Sequence, residues 1–333
     1  MGTKKRRIGR WIAGSIVGMA LLIGAMPTLL YIPMVQQLAA QWGAAWLTEQ
    51  LNIKVQIESI HLRFPMRLEV KGLRMGTFLR IEEARTDIRL RPLREGVVKV
   101  DYLDVWGIDL RGDSLMKETT TNLMLKQLIV NDITYRPKEK SLQINSLLLN
   151  DGDILIVQDG ERTTRKDTTL RMPIALRISE VGIRRMSGDF SNESMQVSAS
   201  ANDIALHEVV ADTAMQITLL RGEITEGEAT LKQPDKEPWR VTELMLRGKA
   251  MSYTPQEASG RLTHLACKES HGIDLQEGAM TFVWQEGRVG MPDLSLRTPH
   301  SLLQGHLYSL DYSTTEVAFD ADLEAHIGHA DMQ

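Results

Sequence analysis

The sequence predicts a mainly all-β protein, an elongated curled antiparallel sheet preceded by one N-terminal transmembrane α-helix and a short amphipathic helix. Three observations carry this. Residues 11–32 form an uncharged run of 22 residues behind five cations. From Ile53 onward the spacing of apolar residues changes from the helical 3.6 to the strand period of 2. Short polar or glycine-containing breaks then interrupt that period repeatedly, as hairpin turns do.

The first segment, residues 1–10, is a basic tail carrying Lys4, Lys5, Arg6, Arg7 and Arg10. The run Trp11–Ile32 measures about 33 Å as a helix, enough for a hydrocarbon core of about 30 Å. All five cations precede it, so the positive-inside rule puts the tail in the cytoplasm and the body across the membrane, which in a bacterium is the periplasm. A cleaved signal peptide would have a shorter apolar run and a small-x-small cleavage site, and "AMPTLLYIP" offers none. The reading is therefore an uncleaved, single-pass inner-membrane anchor.

Residues 33–52 follow as a second helix. Pro33 suits a first helical turn, and Val35, Leu38, Ala39, Trp42, Ala45 and Trp46 recur at spacings of three and four. No charge appears before Glu49. Two roles for the tryptophans stay open: the membrane interface, or packing against the end of a sheet.

Residues 53–333 are read as one elongated β-domain of about twenty strands. In "TTLRMPIALRIS" the residues Leu170, Met172, Ile174, Leu176 and Ile178 alternate with Arg171, Arg177 and Ser179. In "EVAFDADLEAHI" the residues Val317, Phe319, Ala321, Leu323, Ala325 and Ile327 alternate with acids and His326. Breaks such as "NDGD", "SGDFSNES", "ITEGEA" and "WQEGRVG" are read as hairpin turns. With no helices to cover the apolar side of these strands, the sheet must form a sandwich, a barrel or an open trough.

Charge and composition exclude several function classes. The whole chain has 39 basic and 43 acidic residues, and setting the five N-terminal cations aside leaves 34 against 43. An acidic body disfavours nucleic acid. The single Cys267 rules out an internal disulfide and a multi-cysteine metal site. His264, Cys267 and His271 form the best local grouping for a metal but lack a fourth ligand, and the spacing of His326 and His329 places them on opposite strand faces. No nucleophile elbow, phosphate loop or dinucleotide fingerprint occurs. No catalytic, cofactor or metal residues are assigned, and the chain is read as a non-enzyme.

The order of basic start, single span, "IPMVQQLA", "LNIKVQIESIHLRFPMRLEVKGLRMG" and "TDIRLRPLREGVVKVDYLDVWGIDLRG" resembles the N-terminal part of TamB proteins of the AsmA-like superfamily. "DLSLRTPHSLLQGHLYSLDY" and "FDADLEAHIGHADMQ" are similar to segments of the Bacteroidetes versions. The resemblance implies a periplasmic β-taco with a continuous apolar groove. It further implies bridge-like phospholipid transport toward the outer membrane, and a TamA-like outer-membrane barrel as partner through a C-terminal region that is missing here. The chain is accordingly expected to be truncated at its C-terminus, since about twenty strands at 4.8 Å extend only on the order of 100 Å. On this reading Leu170, Met172, Ile174, Leu176, Ile178, Val317, Phe319, Ala321, Leu323 and Ile327 line the groove, and Val35, Leu38, Trp42 and Trp46 mark its entrance. The rival expectation is a scaffold or chaperone for outer-membrane protein assembly that carries no lipid.

Overall fold

A helix and sixteen strands run in chain order in the computed structural model, which describes residues 33–51, 53–63, 67–89, 92, 95–112, 119–158, 174–234, 236–285, 288–309 and 319–328. The basic tail, the expected span at 11–32, and Leu170, Met172 and Val317 lie outside the described residues, as do the side chains of Val35, Trp46 and Phe319. Among the described residues no helix is long and apolar enough to cross a membrane.

Helix α1 covers Pro33–Leu51. The strands are β1 (Val55–Gln56), β2 (Ser59–Arg63), β3 (Arg67–Met75), β4 (Leu79–Arg89), β5 (Val98–Arg111), β6 (Thr119–Arg136), β7 (Ser141–Gln158) and β8 (Ala175–Ser191). They continue as β9 (Gln196–Ala211), β10 (Ile217–Lys232), β11 (Trp239–Tyr253), β12 (Glu257–Glu269), β13 (Asp274–Gln285), β14 (Arg288–Arg297), β15 (Leu302–Ser309) and β16 (Phe319–His326). All belong to one sheet, ordered as in the sequence from β3 onward, with β1 and β2 both paired to β3.

The sheet is a single layer and, among the described residues, uncurled, where the apolar period alone suggests a curled sheet. Apart from α1 on β1 and β2, every substantial contact joins hydrogen-bonded neighbours, and the strand order is an open path. Among the described residues it therefore neither packs on itself as a sandwich nor closes into a barrel. All strand pairs are antiparallel except β7 with β8, which are parallel and joined through residues 159–174. Parallel neighbours need a crossover connection, which an alternation pattern alone does not reveal. β8 starts only at Ala175, whose N–H donates to the Lys140 carbonyl at 2.8 Å.

Two of the expected turns are not turns. Asn150–Asp153 lies inside β7, and Ile224–Ala229 lies inside β10. Each break contains a residue with positive φ, Asp151 at 53° and Glu226 at 52°. The turn-forming residues there serve a left-handed backbone within a continuing strand, so strands expected as separate are single and reach 18 residues. The break at Asn192–Met195 is a true turn, closed by the Asn192 side-chain oxygen, which accepts from the N–H groups of Ser194 and Met195.

Helix α1 docks on the first strands through polar bonds. The Gln36 amide donates to the Leu62 carbonyl at 3.1 Å, and the Thr48 hydroxyl accepts from the Val55 N–H at 2.9 Å. Ala40, 2 % exposed, lies on the same row of the helix as these two. Leu38 and Trp42 face the other way and are exposed, so packing against the sheet is not the role of Trp42.

Candidate functional site, a creased apolar face

The strand ladders lapse along two lines that cross the sheet. On the first, the pairs Glu82–Gly107, Gly107–Lys126, Lys126–Asp151, Asp151–Arg185, Arg185–Asn202 and Asn202–Glu226 are unbridged, while the pairs on either side keep register. On the second, Asp101–Asp132, Asp132–Asn145, Asn145–Ser179, Ser179–Glu208, Glu208–Leu220 and Leu220–Ala250 are unbridged in the same way. In each of β5 to β10 the two lines are six residues apart, as in Asn145 and Asp151 or Ser179 and Arg185. We call these lines creases, and they divide the long strands into three panels.

Seven of the left-handed residues sit on the creases. Gly107, Asp132, Asp151, Arg185, Glu208, Glu226 and Ala250 have φ between 51° and 63°. In β5 to β10 the left-handed residue is at the second crease met in chain direction. It therefore alternates between the lines as antiparallel strands alternate direction, and stays on one line for the parallel pair β7 and β8. A left-handed residue takes the chain out of its extended path, and it resets which side chains share a face.

Side-chain contacts confirm the reset. A Cβ built on Gly222 would stand 3.2 Å from Cδ2 of Leu219, and one on Gly227 would stand 3.4 Å from Cγ2 of Ile224. Residues three apart therefore share a face across each crease, where an uninterrupted strand would put them on opposite faces. The apolar spacing follows suit: Ile144, then Leu147 and Leu149, then Gly152 and Ile154 in β7.

The result is one apolar face spanning all three panels. In the middle panel the row Leu103–Val130–Leu147–Val181–Leu206–Gly222 crosses β5 to β10, and Val105–Leu128–Leu149–Ile183–Ile204–Ile224 runs beside it. The outer panels contribute Ile108–Leu125–Gly152–Met186 on one side and Val100–Ile133–Ile144–Ile178 on the other. Val105, Leu125, Val130, Ile178, Val181, Ala211 and Val241, the buried apolar residues of β5 to β11, all belong to this face. No described element covers it.

The opposite face carries polar side chains that bond to one another, beside Trp106, Ile129, Leu148 and the exposed Met124 and Leu155. Gln127 donates to Asp104 at 2.9 Å, Asn131 to Ser146 at 2.8 Å, and Arg247 pairs with Glu223 at 2.9 Å. Crease side chains join this side: Lys126 pairs with Asp151 at 3.5 Å, the Arg185 guanidinium also pairs with Asp151, and Asn202 donates to Glu226 at 2.7 Å. The hydrogen bond from Arg185 is the main reason the Asp151 carboxyl is lowered to about 2. Shallow clefts of about 320 Å³ and 350 Å³ lie over the creases, lined by Glu82, Lys126 and Asp151 in one and Asp132, Asn145 and Ser179 in the other.

Of the residues expected from sequence to line a groove, Ile174 precedes β8, while Leu176 and Ile178 lie on the apolar face. Phe319, Ala321 and Leu323 lie on β16 and Ile327 just past it, with Leu323 and Ile327 exposed at the open edge. The two groups are eight strands apart, about 40 Å, yet one row joins them. Directly paired residues lead from Leu176 through Ala211, Ile217, Tyr253, Ala258, Trp284, Val289 and Ser309 to Phe319. The middle-panel residues were missed because strict alternation assigns them to the opposite side. The telling signal is an apolar spacing of three inserted into a spacing of two.

The remaining titratable groupings are local. His271 lies 2.5 Å from Glu269 in the turn after β12, and this contact raises the imidazole above its ordinary value. Burial raises the Cys267 thiol. No group of three potential metal ligands occurs among the described residues. No protein-family model matches the chain, and no curated protein matches it significantly, so the functional reading rests on the geometry of this face.

Proposed function

We propose that the chain is a membrane-anchored lipid-transfer protein of the bacterial envelope, whose creased sheet forms a trough that carries phospholipid acyl chains from the inner toward the outer membrane. The observation that carries this is the continuous apolar face that no described element covers. An apolar surface of this extent marks an interaction site. A row structure with many equivalent positions suits a sliding chain better than a single fixed ligand. Sheltering one CH₂ contributes about 0.8 kcal/mol, so a sixteen-carbon chain gains on the order of 10 kcal/mol when fully covered. On this proposal the creases are the lines along which the outer panels fold over a bound acyl chain, with the charged crease side chains left in water. The TamB resemblance, the anchor at residues 11–32 with its cytoplasmic tail, and a periplasmic body belong to the same proposal.

A second reading, a scaffold for β-rich envelope proteins, is favoured by one feature. β16 pairs with β15 in unbroken register from Leu302–His326 to Ser309–Phe319, and its outer edge has no partner among the described residues. The strand contains no Lys, Arg or Pro, and the charge it carries is acidic, from Asp320, Asp322 and Glu324. Native mass spectrometry of the full-length protein, extracted from bacterial membranes, separates the two. Reproducible phospholipid in the parent and its loss in a folded Leu206→Glu variant support lipid transfer. A folded parent free of lipid supports the scaffold.

A further inference from the structure

We infer that helix α1 lies along the membrane surface, with the face that presents Leu38 and Trp42 set into the lipid headgroup boundary. This rests on the reading of residues 11–32 as a membrane span. The helix is docked on the sheet by one side only, through Gln36, Ala40 and Thr48. The opposite side presents Leu38 and Trp42, the latter 69 % exposed, with exposed Ala45 between them and Glu49. An indole left in water at that extent has no partner within the described chain.

The chain itself identifies the partner. The span as read covers 22 residues, the length a bilayer core takes, and α1 begins at the residue after it, so on this reading the helix starts at the bilayer boundary. A helix continuing straight along the membrane normal would carry Trp42 about 14 Å beyond Pro33, out of reach of the headgroup layer. Lying flat keeps the indole at the depth that tryptophan prefers. The absence of charge in α1 before Glu49 fits that position, and Glu49 marks the end that turns back to water. Because Gln36 and Thr48 hold Leu62 and Val55, a flat helix also fixes the first strands of the sheet at the lipid surface. The apolar face then begins where lipid is available.

The test uses the full-length chain with Cys267→Ser, reconstituted in phosphatidylethanolamine and phosphatidylglycerol vesicles. Single cysteines replace Leu22, Trp42 or Glu237 and carry an environment-sensitive fluorophore. Lipids with a nitroxide at carbon 5 should lower the signal at position 42 by about two-fold and more than lipids labelled at carbon 12, as an interfacial depth requires. Position 22 should show the reverse order, and position 237 should respond to neither. Iodide quenching at position 42 with lipid quenching retained at position 22 would overturn the flat helix and leave the span intact. Loss of lipid quenching at both would overturn the span as well. Ala40→Cys, on the docked row, should resist a water-soluble maleimide, and rapid labelling there would contradict the orientation.

Discussion

The middle panel and the outer panels of β5 to β11 are built from the same strands but obey opposite parity. In β6 the apolar face takes the odd residues Leu123 and Leu125, then the even residues Leu128 and Val130, then the odd residues Ile133 and Tyr135. Nothing in the side chains of a single panel shows this. The difference teaches that in a long creased strand the face of a residue depends on how many creases precede it. A crease is therefore as informative as a turn: it redirects the chain while keeping the register of its neighbours.

The largest effect comes from putting charge on the face at opposite parity. Leu125→Glu and Val130→Glu, at 3 % and 4 % exposure, should each lower unfolding stability by about 3 kcal/mol or more, since each buries an unpaired carboxylate. Met124→Glu, 57 % exposed, should stay within about 0.5 kcal/mol. Denaturant titration measures all three. If parity ran through the creases unchanged, Val130 and Met124 would share a face and their variants would behave alike.

A smaller effect tests the left-handed backbone. Ala250 has φ 51° and is exposed, with its crease partner Leu220 unbridged. Ala250→Val should destabilise by about 1–2 kcal/mol, because a β-branched residue is strained in that region, whereas Ala250→Gly should not destabilise at all. Thermal melts distinguish the two, and equal losses would mean that the residue is extended.

These positions also define how far the structure could be read from sequence. The switch of period at Ile53 and the mainly antiparallel β-sheet were legible, because period 2 is written directly in the apolar residues. Gly107, Asp132 and Asp151 are types that tolerate a left-handed backbone, but "NDGD" reads equally well as a hairpin. Arg185, Glu208 and Ala250 give no such signal: their conformation is imposed by the register of neighbouring strands. The parallel pairing of β7 with β8 and the polar docking of α1 through Gln36 were likewise invisible, since both depend on partners distant in sequence. Leu176 and Ile178, which the alternation singles out, lie on the apolar face, whereas Leu147, Val181 and Leu206 are hidden by the parity reset.

The smallest effect concerns the polar side of the first crease. Asp151 is held at about 2, below its ordinary 3.8, chiefly by the hydrogen bond from Arg185. A carboxylate lowered on folding contributes stability that is complete above its ordinary value and is lost as pH falls through the folded value. Acid unfolding between about pH 4 and pH 2 should therefore be less steep in Asp151→Asn than in the parent, with no difference in slope near neutrality. An unchanged acid limb would show that the pair is not held in solution.

The central claim is that the apolar face of all three panels contacts lipid. Benzophenone photo-cross-linking in intact bacteria at four positions of β9 tests it most directly: Ala205, Leu206, Val209 and Val210, which straddle the left-handed Glu208. Phospholipid adducts should form at Leu206 and Val209, of opposite parity but one face, and be absent at Ala205 and Val210. Adducts at positions of a single parity, or at none of the four, would contradict it.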